Sequence, residues 1–396
     1  FGDIDRRLRD LDTAIAQLGA CLEAQTGDAD LLSALADIGT LRWFLDHAVA
    51  LSEDHRYCVI TGWTTVNDPS ELQRRLRAAN LDGRVLLKPG GSMRRAPVVL
   101  AGGWFTRPFR QFIDLAGTPG ARAVDPSPLI AVIVPLLFGM MFPDVGHGLV
   151  LALVSGMLSI RLPRFRFLVP CGLSAAAFGL LFGEVFGVHG PGLPRVFCPL
   201  EEPLLMLVLS LAIGALLILL GMVLSGIEAY WNQAISRWLW LDAAIIAFYL
   251  CLVAGMFDAF WLGMSLLAVA WHLTGVIVVS NAPPWQALWV GVGQFLFMTF
   301  ELFVNTLSFL RVGAFALAHA ALTHALIEAA DSIDTMLVRY GVLLVGHAAI
   351  IAIEALVVYV QTTRLVLFEF FSRFLHADGR LMHPLRLPER VSQARP

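Results

Sequence analysis

Residues 301–330 have the sequence ELFVNTLSFLRVGAFALAHAALTHALIEAA, an apolar stretch that contains the charged side chain Arg311. The next apolar stretch, residues 341–371, contains Arg364. A guanidinium stays charged at any physiological pH. Near the middle of a bilayer it costs at least ~2.5 to 3.5 kcal/mol, so it must face a polar cavity, a carboxylate or another subunit. Two such arginines in consecutive helices predict a membrane domain that translocates ions.

The composition separates a large apolar domain from a smaller polar one. Hydrophobic residues make up 57% of the 396 positions and charged residues 15%. Of the 59 charged residues, 31 precede residue 126, so the character of the chain changes near Asp125. We therefore predict a cytoplasmic coiled-coil and α/β domain over residues 1–125, a transmembrane domain over 126–376 and a cytoplasmic tail over 377–396.

Charge and motif content exclude several classes of function. The net charge of −3 provides no broad basic field, so we expect no nucleic-acid partner. The five cysteines show no CxxC spacing, which argues against a disulfide framework or a zinc site. Because HExxH, GxSxG and Walker sequences are absent, we expect no ATP hydrolysis by this chain itself and no cofactor or metal. The chain begins at Phe1 without a methionine, so we expect residues to precede it.

The polar domain shows helical and then strand-like patterns. Apolar residues spaced by four and three predict a coiled-coil helix over residues 4–22, and a second amphipathic helix follows over about 30–51. An α/β segment comes next, with a capped helix over residues 68–79. Strands are predicted over residues 57–63, 83–87 and 97–100.

Eight membrane helices are predicted by apolar length, and the first two are short. They cover residues 128–141, 148–160, 168–188, 204–228, 238–256, 261–280, 287–330 and 337–373. The last two, about 44 and 37 residues or roughly 66 and 55 Å long, exceed a hydrocarbon core of ~30 Å and must tilt or protrude. The predicted fold class is mainly α, with an eight-helix transmembrane domain ending in two long tilted helices.

Loop arginines predict the orientation of these helices. An even number of spans places both termini on one side, and more arginines fall on that side than on the other. On the side of the termini are Arg161, Arg164, Arg166, Arg237, Arg373, Arg380, Arg386, Arg390 and Arg395, against Arg195 and Arg339 on the other. We therefore expect an integral multi-pass membrane protein, in contact with lipid and with both termini cytoplasmic.

The seventh predicted helix carries a polar flank. Glu301, Asn305, Ser308 and His319 fall within ~40° of one direction at 100° per residue, and Arg311 lies about 80° away. Small residues after Arg311 permit the close approach of another helix. The alternative is that these polar atoms bond within an ordinary helix bundle, which leaves Arg311 unexplained.

The eighth predicted helix carries a polar file. His347, Glu354 and Gln361 repeat at seven residues, and Arg364 follows three positions later. A polar file through an apolar helix indicates a water-filled path. The histidines by themselves are more often hydrogen-bonded core or interface side chains than proton relays. Glu354 is the more informative residue, because a carboxylate at that depth must be hydrated or paired.

Two features precede the long helices. Residues 138–148 contain Pro143 and several glycines, which predict a helix-breaking turn in which Asp144 caps the next helix. The third predicted helix carries Glu184, which is either a pore group or a residue near the far interface. Its glycines recur every four residues and favour close helix packing, at Gly179, Gly183 and Gly187.

Four motifs together resemble the membrane-embedded stator subunit of V-type and archaeal-type rotary ATPases, called subunit a or subunit I. The resemblance covers about residues 57–384. The motifs are Asp125-Pro126-Ser127-Pro128, FGMM with DxGxG over residues 138–148, NTLSFLR with AHA over residues 305–320, and residues 354–371. Pro143 and His147 stand where that family usually has glycine and an aromatic residue.

The resemblance implies specific partners and site residues. The last two helices would face a rotating ring of proteolipid subunits, whose ion-binding carboxylate would meet Arg311 and Arg364. Peripheral-stalk and central-stalk subunits would be further partners. Half-channels for protons or sodium ions would be lined by Glu301, His319, Glu354 and Gln361, and further pore or structural candidates are Glu184, Asn305, Ser308, His347 and Asp144. The rival interpretation is a self-contained secondary ion transporter, although the paired halves with broken helices typical of that class are not visible.

Overall fold

The structure is a computed structural model that describes much of the chain. The described residues are 13, 37–42, 52–54, 57–59, 62–64, 66, 68–80, 84–87, 96–100, 102–120, 122–189, 200–280, 282–375 and 379–382. The coiled-coil helix predicted over residues 4–22 lies outside them except for Thr13. Of the second predicted helix, residues 37–42 are described, and they are helical.

The chain divides into two compact units, Phe1–Lys88 with Met382–Pro396, and Pro89–Leu381. The domain boundary predicted near Asp125 rests on the change from polar to apolar composition, whereas these two units are defined by how the chain packs. The boundary near Asp125 therefore stays a prediction.

Within the first unit, the described elements include a short hairpin and a helix. Strand β1 (Ser52–Asp54) pairs antiparallel with β2 (Tyr57–Val59). Helix α1 (Pro69–Ala78) begins after Asp68, whose carboxylate accepts hydrogen bonds from the Ser70 hydroxyl at 2.6 Å and backbone N–H at 2.9 Å. These hydrogen bonds lower the pKa of Asp68, because they stabilise its ionised form.

The strands are shorter than the sequence pattern predicts. The strand predicted over residues 57–63 ends at Val59, and residues 84–87 form no strand, so the prediction was wrong there. In the second unit, β3 (Pro97–Val98) pairs in parallel with the strand Arg380–Leu381. An apolar run reveals strand propensity but not whether a partner strand is available, and pairing decides which residues become a strand.

The second unit consists mainly of helices. The shorter ones are α2 (Arg110–Ala116), which follows a 3-10 turn at Arg107–Phe109, α3 (Ser127–Met141), α4 (Val145–Arg161) and α5 (Leu168–Phe182), which follows a 3-10 turn at Pro163–Phe167. The longer ones are α6 (Pro203–Trp231), α7 (Ile235–Ala254), α8 (Ala259–Val279), α9 (Pro284–Ser308), α10 (Leu310–Asp331) and α11 (Met336–Arg364). Helix α11 continues as a π-helical turn, Leu365–Phe370, and a 3-10 turn, Phe371–Arg373.

Six helical segments in the described part of the chain are long and apolar enough to cross a membrane. They are Pro163–Phe182, Pro203–Trp231, Ile235–Ala254, Ala259–Val279, Pro284–Asp331 and Met336–Arg373. Helices α3 and α4 are apolar but shorter, so their spanning of the membrane stays a prediction. The chain is thus mainly helical, and its length of apolar helix fits a multi-pass membrane protein.

The turn predicted within residues 138–148 separates α3 from α4. Helix α3 ends at Met141, and Asp144 caps α4 by accepting a hydrogen bond from the backbone N–H of His147 at 2.8 Å. The predicted turn and cap are confirmed. The turn places Asp144 and His147 side by side in the protein interior, where both are fully buried.

The third predicted helix ends earlier than expected. Its prediction over residues 168–188 was wrong after Phe182, because Gly183 adopts a left-handed conformation with φ of +75° and ends the helix. A hairpin follows, in which β4 (Glu184–Val185) pairs antiparallel with β5 (Val188–His189). Close packing at Gly179 is confirmed, since a Cβ there would lie 2.3 Å from the backbone nitrogen of Val145.

The seventh predicted helix is interrupted at one residue. Phe309 separates α9 from α10, so the prediction of an unbroken helix over residues 287–330 was wrong at this position. The Phe309 side chain is 1% exposed and packs where Gly214 of α6 leaves room, since a Cβ on Gly214 would lie 2.3 Å from the ring. Tertiary packing of this kind is invisible to helical periodicity.

Phenylalanine dominates the interior of the second unit. The fully buried rings are Phe109, Phe112, Phe138, Phe142, Phe182, Phe309, Phe370 and Phe374. Large apolar side chains of this type contribute most to packing in a core. The phenylalanine rings that follow α11 pack in the same core as the rings of α2 and α3. This packing holds the π-helical turn in the protein interior.

The close packing of α5 against the start of α4 predicts a stability difference between two glycine variants. Gly179→Ala forces a methyl group into the Val145 backbone and is expected to lower the free energy of unfolding by about 1–3 kcal/mol. Gly156→Ala, on α4, meets no atom within 4 Å and is expected to leave stability unchanged or slightly raised. The midpoint of thermal unfolding in detergent measures both, and equal midpoints would contradict the packing.

Candidate functional site

Arg311 lies in the first turn of α10 and contacts polar side chains from α9 and α11. Its Nη1 donates to Gln361 Oε1 at 3.2 Å, and its Nη2 donates to Ser308 Oγ at 3.4 Å. Ser308 Oγ in turn donates to Glu369 Oε1. Arg364, exposed at the end of α11, lies close enough to Arg311 and Glu369 to interact electrostatically with both. We call these five residues the arginine cluster.

Glu369 is the carboxylate that offsets the charge of the two arginines. Glu369 is 4% exposed and lies on the π-helical turn after α11. Its Oε2 has no hydrogen-bond partner among the described residues. Since a buried charge is costly unless it is paired, the carboxylate and the arginines depend on each other. Glu369 was not among the predicted site residues, although a lone carboxylate five residues after Arg364 in an apolar helix is a signal that identifies it.

A second polar group joins three histidines and two carboxylates. His319 Nδ1 on α10 is hydrogen-bonded to Glu354 Oε2 on α11. His147 Nε2 on α4 lies 2.9 Å from His347 Nδ1 on α11. The rings of His147 and His319 are 5.3 Å apart between centroids, and Asp144 lies beside them at the start of α4. We call these five residues the histidine cluster.

Glu184 lies at the edge of the histidine cluster, in the β4–β5 hairpin outside the candidate spanning helices. In the same hairpin, Gly187 donates its backbone N–H to Asp144 Oδ2 at 2.8 Å. Burial raises the pKa of Glu184 to about 7, nearby His319 opposes this shift, and Asp144 adds to it. Glu184 pairs with His189 in this hairpin and also lies near Asp144 and His319, so the choice between a pore group and a residue near the far interface stays a prediction.

The polar file predicted on α11 takes part in both clusters. His347 bonds to α4, Glu354 bonds to α10, and Gln361 bonds to Arg311. Successive members are two helical turns apart, or roughly 10.5 Å at 1.5 Å per residue. The two clusters therefore follow each other along the same pair of helices, with about two turns of α11 between Glu354 and Gln361.

Two predicted residues lie outside both clusters. Glu301 Oε1 on α9 is 3.6 Å from Arg373 Nη2, at the end of the last helical segment. Asn305 is half-buried on α9 and hydrogen-bonds with no member of either cluster. Glu301 precedes Arg311 by ten residues, and His319 of the histidine cluster follows Arg311. Titratable groups are therefore found on both sides of Arg311 along α9 and α10.

Comparisons with known proteins identify relatives of this arrangement. Residues 46–166 match the V-type ATPase 116kDa subunit family. A-type ATP synthase subunit I of Pyrococcus horikoshii is 26% identical over 326 residues, which cover 75% of this chain and 48% of that protein. The resemblance to subunit I and subunit a of A-type and V-type ATPases is confirmed.

Shorter matches extend the same resemblance to other organisms. V-type ATP synthase subunit I 2 of Treponema pallidum is 38% identical over 104 residues, covering 24% of this chain and 22% of that protein. The human V-type proton ATPase 116 kDa subunit a 3 is 30% identical over 108 residues, which cover 27% of this chain and 13% of that protein. The chain spans about half the length of the A-type subunit I relatives it matches, at 48, 49 and 57% of their lengths.

Removing the buried carboxylate of the arginine cluster is expected to destabilise the protein. Glu369→Gln keeps an acceptor for Ser308 but leaves Arg311 and Arg364 without their nearby negative charge. Because a buried charge that loses its partner costs ~3–5 kcal/mol and Arg364 is exposed, we expect a loss of about 2 kcal/mol. Thermal unfolding in detergent gives the measurement.

The matched control for this variant is Glu328→Gln, which removes the same charge from an exposed position on α10. It is expected to leave the unfolding midpoint unchanged. An equal effect of the two substitutions would show that Glu369 does not offset the arginines.

Proposed function

We propose that the chain is the stator subunit of a rotary ion-translocating ATPase, with half-channels for protons or sodium ions against a proteolipid ring. The observation that carries the proposal is the arginine cluster, in which Arg311 lies half-buried in an apolar helix pair with titratable groups on both sides. The relatives named A-type ATP synthase subunit I and V-type proton ATPase subunit a support it.

In this proposal Arg311 separates two aqueous half-channels. The ring carries its ion on a carboxylate, and a fixed guanidinium favours the ionised form of that carboxylate. The ring site therefore releases its ion when it reaches Arg311, and the ion cannot cross the membrane without rotation of the ring. Arg364 is the supporting cation, and its exposure at the end of α11 suits contact with a partner subunit.

The two half-channels are assigned to the groups on either side of Arg311. One contains the histidine cluster, where His319 and Glu354 are hydrogen-bonded to each other. The other contains Glu301, ten residues before Arg311 on α9. An unperturbed imidazole changes its charge near neutral pH, so a cluster of three histidines favours the proton as the ion.

The surroundings of these helices suit a subunit that faces both lipid and a ring. Large apolar side chains on α9 and α11 are exposed, including Phe297, Phe300, Leu344, Ile353 and Leu356. Such surfaces are stable only in contact with lipid or with another apolar protein surface. In this proposal the membrane is a prokaryotic plasma membrane, and the arginine-rich loops favour a cytoplasmic position for both termini, where stalk subunits would dock.

Replacing Arg311 is the test of this function. Arg311→Gln is expected to abolish coupled transport, and Arg311→Lys is expected to fail largely as well, because a flexible ammonium does not reproduce the planar guanidinium. ATP-driven ion uptake into vesicles is measured, with assembly of the complex checked in parallel. The control is Arg339→Gln, which changes an arginine outside both clusters that lies in the first turn of α11 and is ion-paired with Asp331 at the end of α10. Full coupled uptake by an assembled Arg311→Gln complex would refute the proposed role.

Replacing Glu354 tests the half-channel that contains the histidine cluster. Glu354→Gln keeps the shape of the side chain and a hydrogen-bonding group for His319 but removes the charge. We expect ion uptake to slow by about tenfold or more, since a positioned proton-transfer group contributes ~10²–10⁴-fold. The exposed Glu328→Gln variant serves as the control. Unchanged uptake by the assembled Glu354→Gln complex would assign Glu354 a structural role instead.

A further inference from the structure

Three members of the histidine cluster have the arrangement of metal ligands. Asp144, His147 and His319 each offer one ligand atom, these atoms lie within 4.8 Å of one another, and all three residues are buried. His147 Nδ1 and His319 Nε2 have no hydrogen-bond partner among the described residues. Buried imidazole nitrogens without partners are uncommon, because each such nitrogen loses its bond to water on burial.

The other nitrogen of each ligand histidine is already held. His319 Nδ1 is hydrogen-bonded to the Glu354 carboxylate, and His147 Nε2 is paired with His347 Nδ1 at 2.9 Å. Histidines that bind metals almost always bond through their second ring nitrogen to a carboxylate or another polar group, which fixes the orientation of the ring. The unpartnered nitrogens are thus the ones left available for an ion.

Asp144 completes the set with a carboxylate held in place by the backbone. Its Oδ1 accepts from the backbone N–H of His147 at 2.8 Å, and its Oδ2 accepts from that of Gly187 at 2.8 Å. The distance from Asp144 Oδ1 to His147 Nδ1 is 3.6 Å. Two ligands at ~2.0–2.1 Å from a tetrahedral zinc ion are roughly 3.3 Å apart, so this pair needs only a small closure. The pairs that involve His319 lie within 4.8 Å and close by at most about 1.5 Å when an ion binds.

We propose that Asp144, His147 and His319 bind a divalent transition-metal ion of the zinc class. Two imidazoles and one carboxylate select zinc or a similar ion over magnesium or calcium, which prefer oxygen ligands. Glu184 lies outside this group of three, and its buried Oε2 has no hydrogen-bond partner among the described residues, so it is available to accept from a water that completes the coordination. The carboxylates of Asp144, Glu184 and Glu354 offset the charge of the ion.

The expected consequence is inhibition of ion transport by the metal, and this consequence, unlike the site itself, rests on the proposed function. An ion on His319 Nε2 prevents that ring from exchanging a proton. His347 and Glu354 are only half-buried, so the ion has a route from the exposed side of α11. Removal of the metal by a chelator restores transport.

Metal binding to the purified chain tests the site without any transport measurement. After chelator treatment, the wild-type protein is titrated with Zn²⁺ by calorimetry and with Co²⁺ by visible absorption, which reports tetrahedral coordination. We expect one ion per chain, and at least about 100-fold weaker binding in His147→Phe, because loss of a ligand exceeds the 10–100-fold effect of losing an outer contact. Phenylalanine keeps an aromatic ring at this position, where His147 contacts the rings of Phe142 and Phe186.

Two further variants separate the site from a general loss of structure. Asp144→Asn keeps an acceptor for the backbone N–H of His147, which caps α4, but loses the acceptor for Gly187 and the anionic ligand. It is expected to bind the ion weakly and to unfold at a lower midpoint, which thermal unfolding measures alongside binding. His324→Phe makes the same exchange as His147→Phe at an exposed position on α10, and its affinity is expected to match that of the wild type. Absence of binding by the wild type, or unchanged affinity in His147→Phe and Asp144→Asn, would overturn the proposed site.

A second experiment measures ATP-driven ion uptake by the assembled complex in vesicles. The uptake rate of each variant is compared with its own rate without metal. Zn²⁺ is expected to inhibit ATP-driven uptake by the wild type and by His324→Phe, and to have little effect on His147→Phe. Equal inhibition of all three would assign the inhibition to a different site. Binding without any inhibition would leave the metal site standing and contradict a role for His319 in the ion route.

Discussion

The burial of positive charge in an apolar helix pair is the constraint on which this structure depends. Arg311 cannot lose its proton at physiological pH, so the protein must surround it with polar groups that pack among phenylalanine rings. Gln361 and Ser308 bond to it directly, and Glu369 supplies the negative charge through Ser308. Glu369 lies on a π-helical turn, and irregular helical turns of this kind are frequent at functional sites.

The histidine cluster is built by a different part of the fold. Close packing of α5 on the start of α4 depends on Gly179, and it holds the turn in which Asp144 caps α4. That turn points His147 toward α10 and α11, where His319 and His347 meet it. The short helices at the start of the membrane domain therefore position half of a polar cluster whose other half lies on the long helices near the end of the chain.

The sequence predicted those features that depend on local pattern. Asp144 as a cap, the polar file on α11 and the apolar length of the long helices follow from spacing and hydropathy alone. The break at Phe309 could not be predicted in this way, because it depends on the room that Gly214 leaves on another helix. The end of α5 was missed because a glycine every four residues is equally compatible with packing and with a left-handed cap, which Gly183 adopts.

The residues missed in the two clusters have the same explanation. Glu369 lies 61 residues from Ser308, and His147 lies 200 residues from His347, so only the folded chain brings each of these pairs together. Two arginines in apolar helices still require a nearby carboxylate, and Glu369 lies in the same apolar segment as Arg364. His147 carries no comparable signal, since a lone histidine in a helix is compatible with many environments.

The central claim is that the surface beside Arg311 faces a ring of small proteolipids. The most direct measurement places a photo-reactive residue at Leu307, which is 40% exposed one helical turn before Arg311, and identifies its cross-linked products in the native membrane. The same residue at Phe257, which is 90% exposed at the end of α7, provides the comparison. The account predicts a cross-link from position 307, but not from position 257, to a small proteolipid that copurifies with the chain. Cross-links to lipid alone at both positions, in a chain that purifies without proteolipid, would contradict it.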